Sequence, residues 1–160
     1  MSPTLRLLTI AAALGCGLVA GVFFAFSTFV MPALARLPPA QGVAAMQAIN
    51  LEAINRWLMG ALFGTAAACL ALAVRAVLGW GEPGAGLRLA GGLAYLLGAI
   101  LVTAACNVPR NEALAPLPPG SEEAARRWAA YLRGWTGWNH VRTLASLAAA
   151  AAFTASLGRG

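Results

Sequence analysis

The chain has 160 residues, 60% of them hydrophobic, and only sixteen charges: eleven Arg and five Glu, with neither Lys nor Asp. A soluble domain has about a quarter of its residues charged. A charged fraction of 10% cannot coat a globule, and such an apolar chain is not a disordered one. The net charge of +6 does not point to nucleic acid, because the arginines lie scattered, with Arg126-Arg127 the only adjacent pair. A basic surplus on an apolar chain fits a protein that sits in a lipid bilayer and meets anionic headgroups.

The gaps between charges give the architecture. Residues 7–35, 57–74, 89–109 and 143–158 are uncharged. A spanning helix needs about 20 apolar residues, and the first three gaps predict spans over 7–31, 57–78 and 87–107. The fourth gap reaches only roughly 24 Å at 1.5 Å per residue, short of a hydrocarbon core of about 30 Å. The last helix is therefore expected to start near Trp135 and to span 135–157. The fold expected is all-α: one four-transmembrane-helix bundle over 1–160, with a short amphipathic interfacial helix between the first two spans. The apolar run of the first helix continues past Phe29 and is too long for a cleaved signal. Ala13-Leu14-Gly15-Cys16 makes a poor lipoprotein box. A literal positive-inside count puts both termini outside. Orientation and oligomeric state, including a homo-oligomer, are left open.

In the first helix, Gly17, Gly21, Phe24, Thr28 and Pro32 form a seam at helical spacing. If its glycines face neighbours, Thr28 faces the bundle interior; the alternative is a hydroxyl bonded back to its own helix. Gly17-x-x-x-Gly21 and Gly60-x-x-x-Gly64 offer small surfaces for close helix contact. Cys16, Cys69 and Cys106 fall one to a helix with no C-x-x-C, which reads as small buried thiols. Residues 43–57 form an amphipathic pattern in which Val43, Met46, Asn50, Ile54 and Trp57 share a face, with Gln47 at its edge. Asn50 then sits amid an apolar face, where an unpaired amide is costly, and Glu52–Arg56 is an ordinary i,i+4 pair. Gly79–Gly84 reads as a tight turn without chemistry.

Beyond that turn, Asn107-Val108-Pro109-Arg110-Asn111 ends the third span. Proline there removes a donor and disfavours α geometry at Val108, a break that could aim both asparagines and Arg110 inward. Ser121 is a plausible N-cap with Glu122 and Glu123 behind it. Trp128, Leu132, Trp135, Asn139 and Arg142 then follow helical spacing, with Trp138 beside the stripe. A tryptophan belt is common at membrane interfaces, but it does not explain an Asn and an Arg on the same stripe. Polar groups at membrane depth are functional candidates by default. His140 is the single histidine, and regular geometry turns it roughly 160° from Arg142. One His without any Asp cannot build a bis-His haem site or the two-histidine carboxylate iron sites. No zinc, dinucleotide or nucleophile-elbow motif is present. No metal ligands are assigned, and the cofactor stays unknown.

Four blocks resemble one family. Gly21-Val22-Phe23-Phe24-Ala25-Phe26-Ser27-Thr28-Phe29-Val30-Met31-Pro32 is similar to the first-helix signature of the anthrone oxygenase-like (DUF1772) membrane proteins. Ala45-Met46-Gln47-Ala48-Ile49-Asn50, Asn107-x-Pro109-x-Asn111 and Trp135-x-x-Trp138-Asn139-His140-x-x-Arg142-Thr143 match its pattern in order. The resemblance covers almost the whole chain. It implies an integral protein of the bacterial plasma membrane and, from fungal relatives, oxidation of polyketide anthrones to anthraquinones with O2 as co-substrate.

Joined to that activity, the residues give a site hypothesis. An anthrone carries an acidic methylene whose carbanion reacts with O2. Such chemistry needs a base, donors for the developing oxyanion and a flat aromatic pocket. His140 is the only conventional near-neutral base. Arg110 and Arg142 would bind the enolate, with Asn139 beside them. Thr28, Asn50, Asn107 and Asn111 would bind substrate, and Trp135 and Trp138 would stack its rings. A non-catalytic carrier of a hydrophobic small molecule and a purely structural membrane subunit are the two alternatives.

Overall fold

Short polar side chains start the long helices. Ser2 accepts from the Leu5 N–H, Asn55 from Trp57 and Leu58, and Ser121 from Ala124. Each satisfies backbone donors that a helix start leaves free. The computed structural model describes residues 1–159, and all its regular elements are helical. They are α1 (Pro3–Ala35), α2 (Pro39–Glu52), α3 (Arg56–Leu78), α4 (Ala85–Leu114) and α5 (Glu122–Leu157). Three of these, α1, α3 and α4, are long and apolar enough to cross a membrane.

Helix α5 is not among those three. Its first half carries Glu122, Glu123, Arg126, Arg127 and Arg133, and its uncharged half is short. It nevertheless packs into the same core. Ala149 and Phe153 join Ala12 and Cys16 of α1, Cys69 and Leu72 of α3, and Tyr95 of α4. A second cluster lies at the end where the long connections run. It gathers Met31, Leu34, Val43, Met46 and Leu114 around Trp128, Tyr131 and Trp135. Gln47 ties α2 to this end by donating to the carbonyls of Leu114, Ala115 and Leu117, the free acceptors at the end of α4.

Several sequence expectations are corrected. The seam of Gly17, Gly21, Phe24, Thr28 and Pro32 is exposed; the buried stripe runs through Ala12, Cys16, Val19, Phe23, Ser27 and Met31. Helix α1 is apolar all round, so periodicity does not fix which face turns inward. A Cβ built on Gly17, Gly21, Gly60 or Gly64 meets nothing within 4 Å. Close backbone approach occurs instead at Gly92, where a Cβ would stand 2.8 Å from the Cys69 carbonyl oxygen. Helix α2 stops at Glu52, so the amphipathic face does not continue to Ile54 and Trp57, which are exposed. Glu52 and Arg56 therefore belong to different helices and make no ion pair, and the Arg56 guanidinium lies 4.7 Å from the centre of the Trp57 ring.

No break occurs at Pro109. Helix α4 continues through Leu114, and Val108 is helical with φ −58° and ψ −49°. Proline clashes with the carbonyl four residues back and supplies no N–H. The preceding turn, Thr103–Asn107, widens into a π turn, with the Val108 N–H donating to the Thr103 carbonyl. Helix α1 repeats the device: Phe26–Val30 is a π turn, the Met31 N–H donates to Phe26, and Pro32 follows. Such turns absorb the proline without ending the helix and are frequent at functional sites.

The turn at Gly79–Gly84 carries more than the sequence suggested. Gly84 has φ 76°, in the left-handed region that glycine adopts freely. Glu82 pairs with Arg75 and lies 3.6 Å from Arg88, which is 1% exposed and donates to the Pro83 carbonyl.

Candidate functional site

A further π turn occupies Leu96–Leu101 of α4; the two that precede prolines lie at the same end of α1 and α4, and α5 runs antiparallel past both. Its inward stripe places Tyr131, Trp135, Asn139 and Arg142 in successive turns, all buried. Arg142, 5% exposed, donates through Nη2 to Asn139 Oδ1 at 2.6 Å and through Nη1 to Thr103 Oγ1 at 3.1 Å. Its guanidinium carbon lies 4.2 Å from the Phe23 ring centre and 5.1 Å from that of Trp135, within the range of cation–π attraction. Among the described residues no carboxylate pairs with it.

The neighbours of Arg142 are themselves anchored. Asn139 Nδ2 donates at 2.6 Å to both the Phe23 carbonyl and Ser27 Oγ, which ties α5 to α1 beside the π turn. Asn107 Nδ2 donates to the Trp135 carbonyl at 3.1 Å. Asn111 Oδ1 accepts from Tyr131 Oη and Trp135 Nε1, each at 2.9 Å. Burial pushes the Tyr131 phenol up, so it stays neutral and donates. Asn50, half-buried on α2, lies beside that hydroxyl. Two atoms of the cluster lack partners: Arg142 Nε, a donor, and Asn107 Oδ1, an acceptor. A buried polar atom without a partner is uncommon in a native structure.

The structure thus brings together Asn107, Asn111, Trp135, Asn139 and Arg142, with Asn50 at the margin. Four expected members lie elsewhere. Thr28 is exposed and its hydroxyl bonds back to the Phe24 carbonyl at 2.7 Å, so the inward residue of that turn is Ser27. Trp138 is 39% exposed and stacks on nothing in the cluster. His140 is exposed: α5 is unbroken α-helix through Gly137, and His140 keeps the opposite face from Arg142. It lines a groove of about 400 Å³ with Met31, Pro32, Arg133 and Thr136. Arg110 also stands apart from Arg142. It donates to the Cys106 carbonyl and lines a second groove, of about 330 Å³, between α4 and α5. Arg142 lines neither groove.

Sequence reasoning missed Phe23, Ser27, Thr103 and Tyr131. For Ser27 and Phe23 the signal lay in the phase of α1, which only a partner such as Asn139 could fix. Among the described residues, no three His, Cys, Asp or Glu side chains gather as metal ligands.

Comparisons with known proteins bear on this cluster. No curated protein and no solved structure matches the chain. The family model for anthrone oxygenase matches residues 57–152. That stretch holds Thr103, Asn107, Asn111, Tyr131, Trp135, Asn139 and Arg142, whereas Phe23 and Ser27 fall before it. The match covers more than half of the chain, and the protein belongs to the anthrone oxygenase family.

Proposed function

We propose that the protein is a four-span oxygenase of a bacterial plasma membrane, acting with O2 on a lipophilic polycyclic substrate of the anthrone type. Helix α5 is the fourth crossing in this reading: Asn139, Arg142, Thr143 and Ser146 turn inward and outward residues such as Leu144 and Leu147 are apolar, with His140 the polar exception on the outer face. The observation that carries the function is the buried Arg142, a cation held by an amide, a hydroxyl and two aromatic rings rather than by a carboxylate. A charge kept at that depth without an anion is costly. An anionic ligand offsets the cost.

An anthrone is suited to that role. Loss of a proton from its methylene gives an enolate whose oxygen faces the guanidinium. Fixed donors in a site of low dielectric favour that anion strongly and so promote ionisation. The electron-rich carbon then adds O2, and the resulting hydroperoxide loses water to leave a carbonyl. The balance is one CH2 and one O2 giving one C=O and one H2O. The unpartnered Asn107 Oδ1 would accept from a phenolic hydroxyl. The rings would lie against Phe23 and Trp135.

The test is O2 uptake by purified protein in lipid nanodiscs supplied with an anthrone, with the quinone identified in the product. Arg142→Ala should lower the rate about 100-fold or more, as for loss of an oxyanion donor. Uptake and quinone formation equal in the variant and the parent would overturn the role of Arg142. Thermal stabilisation by the anthrone without any uptake would identify a carrier instead.

A further inference from the structure

Two thiols meet in the core of the bundle, apart from the Arg142 cluster. Cys16 of α1 and Cys69 of α3 are both 0% exposed, and their sulfurs lie 3.7 Å apart. We propose that this pair is an oxidation site, a dithiol that hydrogen peroxide converts to a disulfide locking α1 to α3. The backbones are already close. One residue before Cys16, a Cβ built on Gly15 would stand 3.2 Å from the Cβ of Thr65, which lies one turn before Cys69. The Cβ atoms of a disulfide are about 3.5–4.5 Å apart, so at this level α1 and α3 approach as a disulfide requires. Helix α4 holds α3 there from another side. Gly92 packs against the Cys69 carbonyl, and the Tyr95 hydroxyl donates to the Leu62 carbonyl at 3.1 Å. Cys106, the third thiol, has no partner sulfur among the described residues.

The chemistry balances in two steps. The first thiol and HO–OH give S–OH and water. The second thiol then attacks that sulfur: the S–S bond forms, the S–O bond breaks, and the hydroxyl leaves with the thiol hydrogen as water. Two thiols and one H2O2 give one disulfide and two H2O, with the sulfurs oxidised and the peroxide oxygens reduced. The surroundings favour the second step. Ala12, Val19, Leu72 and Ala99 belong to the same cluster, and a polar S–OH group without a partner is costly there. A disulfide is neutral and leaves no donor unpaired. Burial also selects the oxidant: an uncharged molecule little larger than water enters a packed core through local opening, whereas a bulky one is kept out.

The experiment is peptide mapping of the full chain in lipid nanodiscs after exposure to hydrogen peroxide, with the remaining thiols alkylated on unfolding. A Cys16–Cys69 cross-link, lighter by two hydrogens, should form and should disappear with dithiothreitol. The thermal unfolding midpoint should rise with it by about 5–10 °C, since a link between positions 53 apart restricts the unfolded chain. Cys106→Ser should keep the cross-link, and Cys69→Ser should abolish both the link and the shift. Cys16 and Cys69 recovered as free thiols while Cys106 is oxidised would overturn the proposal. So would a mixture of all three possible pairings, which marks reaction of an unfolded chain rather than of a preformed contact. The oxygenase reading does not depend on any of these outcomes.

Discussion

Two arginines are buried in this bundle, one toward each end, and they are balanced differently. Arg88 is 1% exposed and has Glu82 at 3.6 Å, with Arg75 on the same carboxylate. Arg142 is 5% exposed and has only neutral partners. At the turn between α3 and α4 the charge is answered within the chain, and the cluster pins two helices together. Beside the π turns it is not: Arg142 is held by an amide, a hydroxyl and two aromatic rings. Burial alone therefore does not distinguish the two arginines; the chemistry of their partners does.

The most direct way to break the contrast is to give Arg142 a carboxylate. Thr103→Asp puts one where the Thr103 hydroxyl already accepts from Arg142 at 3.1 Å. The pair should hold the fold, because each buried charge then has its opposite. Anthrone-dependent O2 uptake should fall about 100-fold, the scale of losing an oxyanion donor, while the thermal unfolding midpoint stays near that of the parent. Retained uptake with a formed ion pair would sink the idea that Arg142 works by its uncompensated charge. The reverse change, Glu82→Gln, should do the opposite. It should cost about 1–3 kcal/mol in unfolding free energy by leaving Arg88 short of its anion, with turnover per folded molecule unchanged.

A smaller effect is expected at Tyr131. Removing its hydroxyl in Tyr131→Phe deletes the bond to Asn111 and should cost about 1 kcal/mol. Burial raises this phenol above its ordinary value, so the folded state holds the proton more tightly than the unfolded chain. The stability it contributes is present below the usual tyrosine value of about 10 and is lost as pH rises through the higher folded value. Unfolding of the parent should therefore steepen with pH on the alkaline side, and Tyr131→Phe should flatten that limb. An unchanged limb in the variant would assign the loss to another group.

The long helices were legible because a membrane demands uncharged runs of fixed length, and gaps between arginines are visible without any knowledge of packing. The inward stripe of α5 was legible for a related reason: Trp128, Trp135, Asn139 and Arg142 recur at helical spacing, and the other charged residues of the helix fall off that stripe. Helix α1 gave no such contrast. With apolar residues on every side, its glycines were the only guide to phase, and they point away from the core. Ser27 was missed by one residue for that reason. The prolines misled in another way. Read locally, Pro109 ends a helix. In the structure the turn before it, Thr103–Asn107, widens into a π turn and α4 runs on to Leu114. The ion cluster at Glu82 was hidden because sequence spacing does not tell that Gly84 turns left-handed and brings Arg88 back over the turn.

The smallest effect is expected at His140, and it decides where the proton goes. By residue type it is the natural base, and in a site it would contribute about 10²–10⁴-fold. The structure places it on the outer face of α5, in the groove with Arg133 and Pro32, while Arg142 turns inward two residues later. Two residues advance a helix by about 200°, and α5 is unbroken α-helix from Glu122 to Leu157. One substrate cannot touch both side chains. His140→Ala should accordingly keep uptake within about threefold of the parent, well below the effect of a base. The rate should then follow the ionisation of the substrate rather than that of an imidazole. A pH–rate profile for a series of anthrones of differing acidity separates the two. Its midpoint should move with the substrate, and a midpoint fixed near the ordinary histidine value and abolished by His140→Ala would return the base to His140 and the reaction to the outer groove.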